Sequence, residues 1–484
     1  MTNIILKSND VKTLEKKVET SGVSLNVLME RAGKAVFDVI SERHEVQKTL
    51  ILTGPGNNGG DGYVVAQLLM NAGWDIDVAS YNNNPPTTLL ALEKYQTWGG
   101  TLKDINNINF NDYPLIVDAI LGIGLSKPIE DPLLSHINKI NQSNATIISI
   151  DIPTGVSSDD DKILGAAIHT NLTITFNFLK PGHVLLPSSI QCGEIIIVDI
   201  GIPAPYPLLW QQNDPDLWRH IIPKPDALSH KYKRGHLAII GSKEMTGAAR
   251  LASIAARRIG VGLLSIICPL NSEIIYALSD PGHLIKPYDS IKDFNSLVEL
   301  HSFSAFSIGS GLLPNAETQD LVLKILTLKK PTLIDAGALM AFEQNPKLLF
   351  DQLHNYCVLT PHAGEFKRLF DDKIDFNASK IEQTLKAAEI ANCVVLYKGG
   401  DTIIANPEGH VIVENQYAPY LSSAGTGDVL AGLIAGLLAQ EIEPFFASSI
   451  AAYIQRQAAM MLGPGLIAED ISYKIPSVLR KLNL

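Results

Sequence analysis

Short β-branched runs recur along this chain, each leading into a turn that carries glycine, aspartate or proline, with helical patterns between them. That alternation restricts the fold to parallel strands joined by helical crossovers. In the first two hundred residues, strands are expected at Thr49-Leu50-Ile51-Leu52 and at 76–79, with a helix over 64–71 between them. More are expected at Leu115-Ile116-Val117, at 146–150, at Thr173-Ile174-Thr175-Phe176 and at Ile195-Ile196-Ile197-Val198. Pro203, Pro205, Pro207, Pro215 and Pro223 then interrupt any periodicity, which is where a domain boundary belongs. A second series begins with a strand at 236–240, the Gly241-Ser242 turn, a helix over 248–259 and a strand at 263–267. It continues with strands at 305–308, Thr332-Leu333-Ile334, Cys357-Val358-Leu359 and Val394-Val395-Leu396. A chain of 484 residues exceeds what one core usually supports, so two α/β domains are expected, over 1–214 and 226–484 with a linker over 215–225.

Composition narrows the function. With 46% hydrophobic and 18% charged residues the chain is an ordinary globular one. Lys plus Arg number 39 against 50 Asp plus Glu, with no basic block, so no nucleic acid partner is expected. The longest apolar stretch, 429–439, falls well short of the roughly 20 residues that span a bilayer, and its Gly432 and Gly436 suit close helix packing instead. Cys192, Cys268, Cys357 and Cys393 are too far apart for a zinc site or a small disulfide framework and read as buried thiols. The start of the chain has only the short apolar piece Ile4-Ile5-Leu6 and no cleavage pattern, so the expected location is the cytoplasm, without membrane contact.

Glycine-rich turns carry the chemistry. Ala424-Gly425-Thr426-Gly427-Asp428 runs straight into an apolar helix, so its backbone N–H groups open a helix N-terminus that attracts phosphate. An acid beside such a site can take a proton from a substrate hydroxyl, although the same Asp428 could simply cap a turn. Lys398-Gly399-Gly400-Asp401-Thr402 follows a strand and reads either as a phosphate-contacting turn or as a plain hairpin. His362, in Thr360-Pro361-His362-Ala363-Gly364-Glu365, sits between a strand and a helix start. In the first half, Asn57-Asn58-Gly59-Gly60-Asp61 follows the first strand and precedes a helix, again an anion-binding position, and its amide oxygens could also face a hard cation. Asp118, before the Gly122-Ile123-Gly124-Leu125-Ser126-Lys127 loop, and Asp151, before Thr154, lie at two further strand ends, which in such sheets converge on one crevice.

These residues resemble two joined families. From about 226 to the end the chain resembles the ADP-dependent NAD(P)H-hydrate dehydratases, a branch of the ribokinase-like fold. The resemblance rests on His230-Lys231-Tyr232-Lys233-Arg234-Gly235-His236, Gly247-Ala248-Ala249, Thr360-Pro361-His362-Ala363-Gly364-Glu365, Lys398-Gly399-Gly400-Asp401-Thr402, Gly425-Thr426-Gly427-Asp428 and Ala468-Glu469-Asp470. It implies that Ala248, Gly311 and His362 line the hydrated nucleotide, that Lys398, Gly399, Gly400, Asp401, Thr402 and Gly427 hold ADP, and that Asp428 contacts the hydrate, with Mg²⁺ on the phosphates. Over roughly 1–214 the chain resembles the NAD(P)H-hydrate epimerases, through Leu28-Met29-Glu30-Arg31-Ala32-Gly33 and the Asn-Asn-Gly-Gly-Asp run. That implies a Rossmann-like doubly wound sheet in which Asn57, Asn58, Gly59, Gly60, Asp61, Gly122, Ile123, Gly124, Leu125 and Ser126 bind the substrate, with Lys127 as a charge partner. It further implies K⁺ ligation by Asn58, Asp118 and Thr154, and substrate contact and proton movement by Asp151.

The expected protein is therefore a fused repair enzyme acting on NADH hydrate and NADPH hydrate with ADP, in a homo-oligomer. A ribokinase-like small-molecule kinase carrying a nucleotide-binding module is the alternative. The sequence departs from the usual family pattern at Gly309-Ser310-Gly311-Leu312-Leu313, Asp335-Ala336-Gly337-Ala338-Leu339 and Tyr417-Ala418-Pro419-Tyr420-Leu421.

Overall fold

The computed structural model describes residues 3–484 and divides into two compact units, Asn3–Leu208 and Leu209–Leu484. In the first unit the strands are β1 (Thr49–Thr53), β2 (Ile76–Ser80), β3 (Lys103–Asp104), β4 (Leu115–Ala119), β5 (Thr146–Ile150), β6 (Leu172–Phe176) and β7 (Glu194–Val198). They form one sheet in the order β3-β2-β1-β4-β5-β6-β7, with every neighbouring pair parallel. Successive side chains of a strand face opposite sides of the sheet. Ile51, Val117, Ile148 and Ile174 thus pack against Val36, Ile40, Val65 and Leu69 on one face. Leu50, Leu52, Ile116 and Ile147 pack against Leu133, Ile137 and Ile140 on the other. The result is the doubly wound sheet expected of the β-branched runs.

The second unit contains β8 (Trp210–Gln212), β9 (His236–Ile240), β10 (Leu263–Pro269), β11 (Leu284–Tyr288), β12 (Ala305–Ile308), β13 (Thr332–Ile334), β14 (Cys357–Leu359), β15 (Val394–Tyr397), β16 (Thr402–Ala405) and β17 (Val411–Glu414). Their order is β11-β10-β9-β12-β13-β14-β15-β16-β17-β8. The run from β11 to β15 is parallel, and β15, β16 and β17 pair antiparallel. Helices Thr246–Arg258, Thr426–Ala439, Pro444–Leu462 and Ala468–Lys481 share one core with Leu237, Ile239, Leu264, Ile266, Leu333 and Val358.

The proline-rich stretch holds a strand that its sequence conceals. β8 pairs parallel with β17, so the break between units falls after Leu208, ahead of the boundary expected at 214. Just beyond β8, the buried Trp218 donates through Nε1 to Asn213 Oδ1 at 2.9 Å, and Asn213 Nδ2 donates to Glu414 Oε2 at 2.9 Å and to the Ser449 carbonyl at 2.8 Å. Polar side chains rather than an apolar repeat attach this edge, which is why no periodicity marks it. β11 escapes sequence reading for another reason: it contains Pro287 and pairs only with β10, and an edge is where a sheet tolerates proline.

Helix Thr426–Ala439 lies in the core against helix Thr246–Arg258. A side chain at Gly432 would place its Cβ 2.1 Å from the Ala252 carbonyl oxygen, and one at Gly436 would meet Ile259 Cγ2 at 2.6 Å. Close packing through these two glycines is therefore a structural requirement. We expect Gly432→Val to destabilise the second unit by about 3 kcal/mol or more. Calorimetry should show a lowered transition for this unit, and an unchanged melting profile would contradict the close approach.

Candidate active sites

In the first unit the polar turns after β1, β4, β5 and β6 lie at the carboxyl ends of adjacent strands, the edge where open α/β sheets bind ligands. Asn57, Asn58, Gly59, Gly60 and Asp61 form the first turns of helix Asn57–Asn71, whose N-cap, Gly56, supplies no side-chain acceptor. Two positions of this loop admit only glycine: a Cβ on Gly54 would lie 1.8 Å from the Ile120 carbonyl oxygen, and one on Gly59 would lie 2.2 Å from that of Gly54. Gly122 sits over Asn58, with 3.5 Å between its hypothetical Cβ and Asn58 Oδ1. Both polar atoms of the Asn58 amide are buried without a hydrogen-bond partner.

Asp118, fully buried, organises the next turn. Its Oδ2 accepts from Ser149 Oγ (2.7 Å) and the Thr154 backbone N–H (2.9 Å), and its Oδ1 accepts from Thr154 Oγ1 (2.7 Å). Burial raises its pKa despite these donors. In the 122–127 loop Ile123 packs with the apolar cluster around Leu28, while Gly124, Ser126 and Lys127 are exposed.

Asp151 has left-handed backbone geometry, φ 67°, just beyond β5. Lys180, in the Lys180-Pro181-Gly182-His183 run that fits the epimerase resemblance but reads at least equally well as a plain turn, meets it there. Lys180 Nζ, with the side chain almost fully buried, donates to Asp151 Oδ1 at 2.5 Å and to Thr175 Oγ1 at 2.8 Å. Burial alone would raise the Asp151 carboxyl, but the adjacent Lys180 ammonium holds it below the ordinary carboxylate value. His183 secures both backbones: its Nδ1 accepts from the Lys180 N–H at 3.0 Å and its Nε2 lies 2.9 Å from the Asp151 carbonyl oxygen. Burial pushes His183 down to about 3, so the ring is neutral and Nε2–H is the donor. Burial, with Asp151 and Glu15 nearby, raises Asp61 well above its usual range. The available sequence signal was Lys180-Pro181-Gly182-His183 directly after a strand.

The second unit repeats the arrangement with different chemistry. Gly425, φ 86°, begins helix Thr426–Ala439, so Gly427 and Asp428 occupy its first turn with the uncapped N–H groups. Lys398, at the end of β15, places Nζ 2.8 Å from Asp335 Oδ1 at the end of β13 and 3.9 Å from Glu365 Oε2. A Cβ on Gly427 would be 3.9 Å from the same ammonium, so the helix N-terminus and the lysine adjoin. Burial raises the Asp428 carboxyl and nearby Asp335 adds to the rise, while Ser310 and Lys398 oppose it. Gly311, φ 78°, lies against Met245 and Ala248.

His362 is the exposed N-cap of helix Ala363–Phe370; its Nδ1 accepts from the Gly364 N–H at 3.0 Å, and Nε2 stands 3.5 Å from Glu365 Oε1. The turn from Lys398 to Thr402 joins the antiparallel β15 and β16, so it is a hairpin that also lies at the site edge. Asp401 faces Lys380, with Nζ to Oδ1 at 2.5 Å. The sequence-selected residues of each unit lie near that unit's strand ends, and Lys180, His183, Asp335 and Glu365 stand beside them.

This defines a class: a Rossmann-like unit and a ribokinase-like unit in one chain. Residues 236–474 match the family described as NAD(P)H-hydrate dehydratase, and residues 25–182 match the YjeF-related protein N-terminus. The bifunctional NAD(P)H-hydrate repair enzyme Nnr of Moorella thermoacetica is 33% identical over 491 residues, covering 94% of this chain and 92% of that protein. Its counterpart in Dictyoglomus turgidum is 30% identical over 521 residues, covering 99% of this chain and all of the other. A ribokinase-like superfamily protein from Enterococcus faecalis superposes with a TM-score of 0.50 at 22% identity, covering 58% of this chain and 99% of that one. The chain belongs to the bifunctional NAD(P)H-hydrate repair enzymes, which join an epimerase to a dehydratase. A kinase with an unrelated binding module is disfavoured by the match over both halves.

Lys180→Met should leave Asp151 as an unpaired buried acid and destabilise the first unit by roughly 3–5 kcal/mol at neutral pH. Adding Asp151→Asn should restore much of the loss in denaturant unfolding. A double variant showing the simple sum of the two single losses would break the pairing.

Proposed function

We propose that the first unit interconverts the R and S forms of NADH and NADPH hydrates, and that the second dehydrates the S form while converting ADP to AMP and phosphate. The observation that carries the assignment is the second site itself: an acid held above its usual pKa in the first turn of a glycine-opened helix, beside a buried Lys398 and the Lys398–Thr402 turn. Asp428 accepts the proton of the hydrate hydroxyl as that oxygen attacks the terminal phosphorus of ADP, and AMP leaves. Breaking the ring C–O bond then releases phosphate, and loss of a proton from the neighbouring carbon restores the double bond. Ala248, Gly311 and His362 form the hydrate side of the site. Lys398 and Gly427 adjoin on the phosphate side, and Gly399, Gly400, Asp401 and Thr402 complete the nucleotide turn.

In the first unit Asp151 contacts the substrate and moves a proton, with Lys180 as its charge partner. Asn57, Asn58, Gly59, Gly60 and Asp61 hold the nucleotide at the helix N-terminus, and Gly122, Ile123, Gly124, Leu125, Ser126 and Lys127 border it. K⁺ fits this unit, because the buried Asn58 amide lacks any partner. Asn58, Asp118 and Thr154 would hold it, and bound there it would supply a fixed positive charge beside the substrate phosphates. In the second unit Mg²⁺ would be carried mainly by the nucleotide phosphates, whose charge it would neutralise. Among the described residues no helix is long and apolar enough to cross a membrane. A cytoplasmic homo-oligomer is part of the same proposal, in keeping with four free, buried cysteines for the reducing compartment.

Purified protein given mixed NADH-hydrate epimers should release NADH and phosphate only when ADP is present, and phosphate retained on the final product would favour a kinase. Asp428→Asn should lower dehydration by at least about 100-fold while epimer exchange continues. Asp151→Asn should do the opposite, and equal loss of both activities in either variant would refute the division of labour. The acid limb of dehydratase kcat/KM should lie above that of an ordinary aspartate, because Asp428 must be ionised to accept a proton and its pKa is raised. A pH–rate profile measures this directly.

A further inference from the structure

We infer that Arg456, which is absent from the proposed ligand-contacting set, is a positioning residue that sets the shape of the 398–402 nucleotide turn. The inference rests on the proposed role of that turn. Arg456 projects from helix Pro444–Leu462 and is only 4% exposed. Its Nη1 donates to the carbonyls of Gly400 (2.7 Å) and Gln416 (2.6 Å). Its Nη2 donates to the Gly399 carbonyl (2.7 Å) and to Thr402 Oγ1 (3.1 Å). Glu414, 1% exposed, stands 4.0 Å from Nε, and its own oxygens accept from Asn213 Nδ2 (2.9 Å) and the Gln416 N–H (3.1 Å).

The geometry of the peptide bond turns this anchoring into a binding consequence. In a trans peptide the C=O and the following N–H point in opposite directions. With the Gly399 and Gly400 carbonyls drawn to one guanidinium, the N–H groups of Gly400 and Asp401 are both directed away from it. Successive N–H groups facing the same side form an anion-binding concavity. Gly399 and Gly400 are exposed, so this side of the turn is open to a ligand. A Gly-Gly pair left alone samples many backbone shapes, and a rigid fork of charge-assisted hydrogen bonds selects one. The neighbouring residue acts on the other phosphate element: Gln455 Nε2 donates to the Thr426 carbonyl at 2.6 Å in the first turn of the Gly-Thr-Gly-Asp helix. One stretch of helix Pro444–Leu462 therefore sets both backbone segments proposed to meet the nucleotide. The ligand class is a nucleoside diphosphate, and the expected signature is ADP affinity rather than turnover.

The test uses the full-length protein with Arg456→Lys and Arg456→Gln, and with Gly400→Val as a reference that places bulk on the exposed tip of the turn. Losing one charged hydrogen bond corresponds to about tenfold in affinity, so KM for ADP should rise about tenfold in R456K and about 100-fold in R456Q. At saturating ADP, kcat and the KM for the hydrate should stay within about threefold, and epimer exchange should be unchanged. ADP binding by calorimetry should weaken in parallel. If G400V raises the ADP KM but R456K and R456Q do not, the turn keeps its role and Arg456 loses the one assigned here. If G400V leaves ADP binding intact, the nucleotide assignment of the turn fails and this inference with it. R456Q has a second measurement in thermal unfolding. An R456K chain that does not fold, or in which kcat falls as far as ADP affinity, identifies Arg456 as a structural residue and overturns the inference.

Discussion

An ammonium and a carboxylate taken out of water each cost several kcal/mol, and the cost is offset only when they meet with their remaining hydrogen-bond capacity filled. Each unit contains such a meeting at the carboxyl ends of its parallel strands. Lys180 reaches Asp151 and Thr175 in the first, and Lys398 reaches Asp335 and Glu365 in the second. Both pairs bridge neighbouring strand ends, β5 to β6 in one case and β13 through β14 to β15 in the other. The sheets supply the register, and the charge pairs determine which turns come together.

Glycine provides the complementary constraint. A phosphate can be held by backbone N–H groups only where the chain approaches closely enough, and β carbons prevent that approach. At Gly54 and Gly59 the space for a side chain is already filled by backbone, so the loop before helix Asn57–Asn71 can close in only one way. At Gly432 the same exclusion acts far from any ligand and seats the helix that carries Asp428 against its neighbour. Packing in the core and the aim of the acid are thus consequences of one helix position.

Much of this was legible before any coordinates. Every strand expected from a β-branched run is present, because a buried parallel strand needs an unbroken apolar series and that series is visible in one dimension. The polar turns are visible for the same reason. The segment holding Lys180 reads at least as well as a plain turn as it does through the family resemblance, since its partner lies 29 residues away and no local pattern reports a pairing across strands. Arg456 was invisible: a single arginine in the middle of an apolar helix reads as solvated, and its acceptors are backbone carbonyls whose direction no sequence records. β8 was hidden because it joins through pairing with β17 and through Asn213 rather than through apolar periodicity. What escaped is the set of features that depend on distant contacts or on carbonyl orientation.

The two sites share one architecture yet shift their acids in opposite directions, and that difference separates the proposed reactions. Asp428 is shifted upward by burial and by Asp335, with Lys398 turned chiefly to Asp335, which makes it a stronger proton acceptor and suits the proposed attack of a hydroxyl on phosphorus. Asp151 is shifted downward by an ammonium in direct contact, which makes it a weaker base when alone. Moving a proton off and back during epimer exchange places equal demands on accepting and returning it, so a carboxylate paired closely with a lysine suits a reversible step. Phosphoryl transfer followed by loss of phosphate runs one way and benefits from the more basic acid. The neutral His183, tied to both backbones, keeps Asp151 and Lys180 in contact without adding a competing charge.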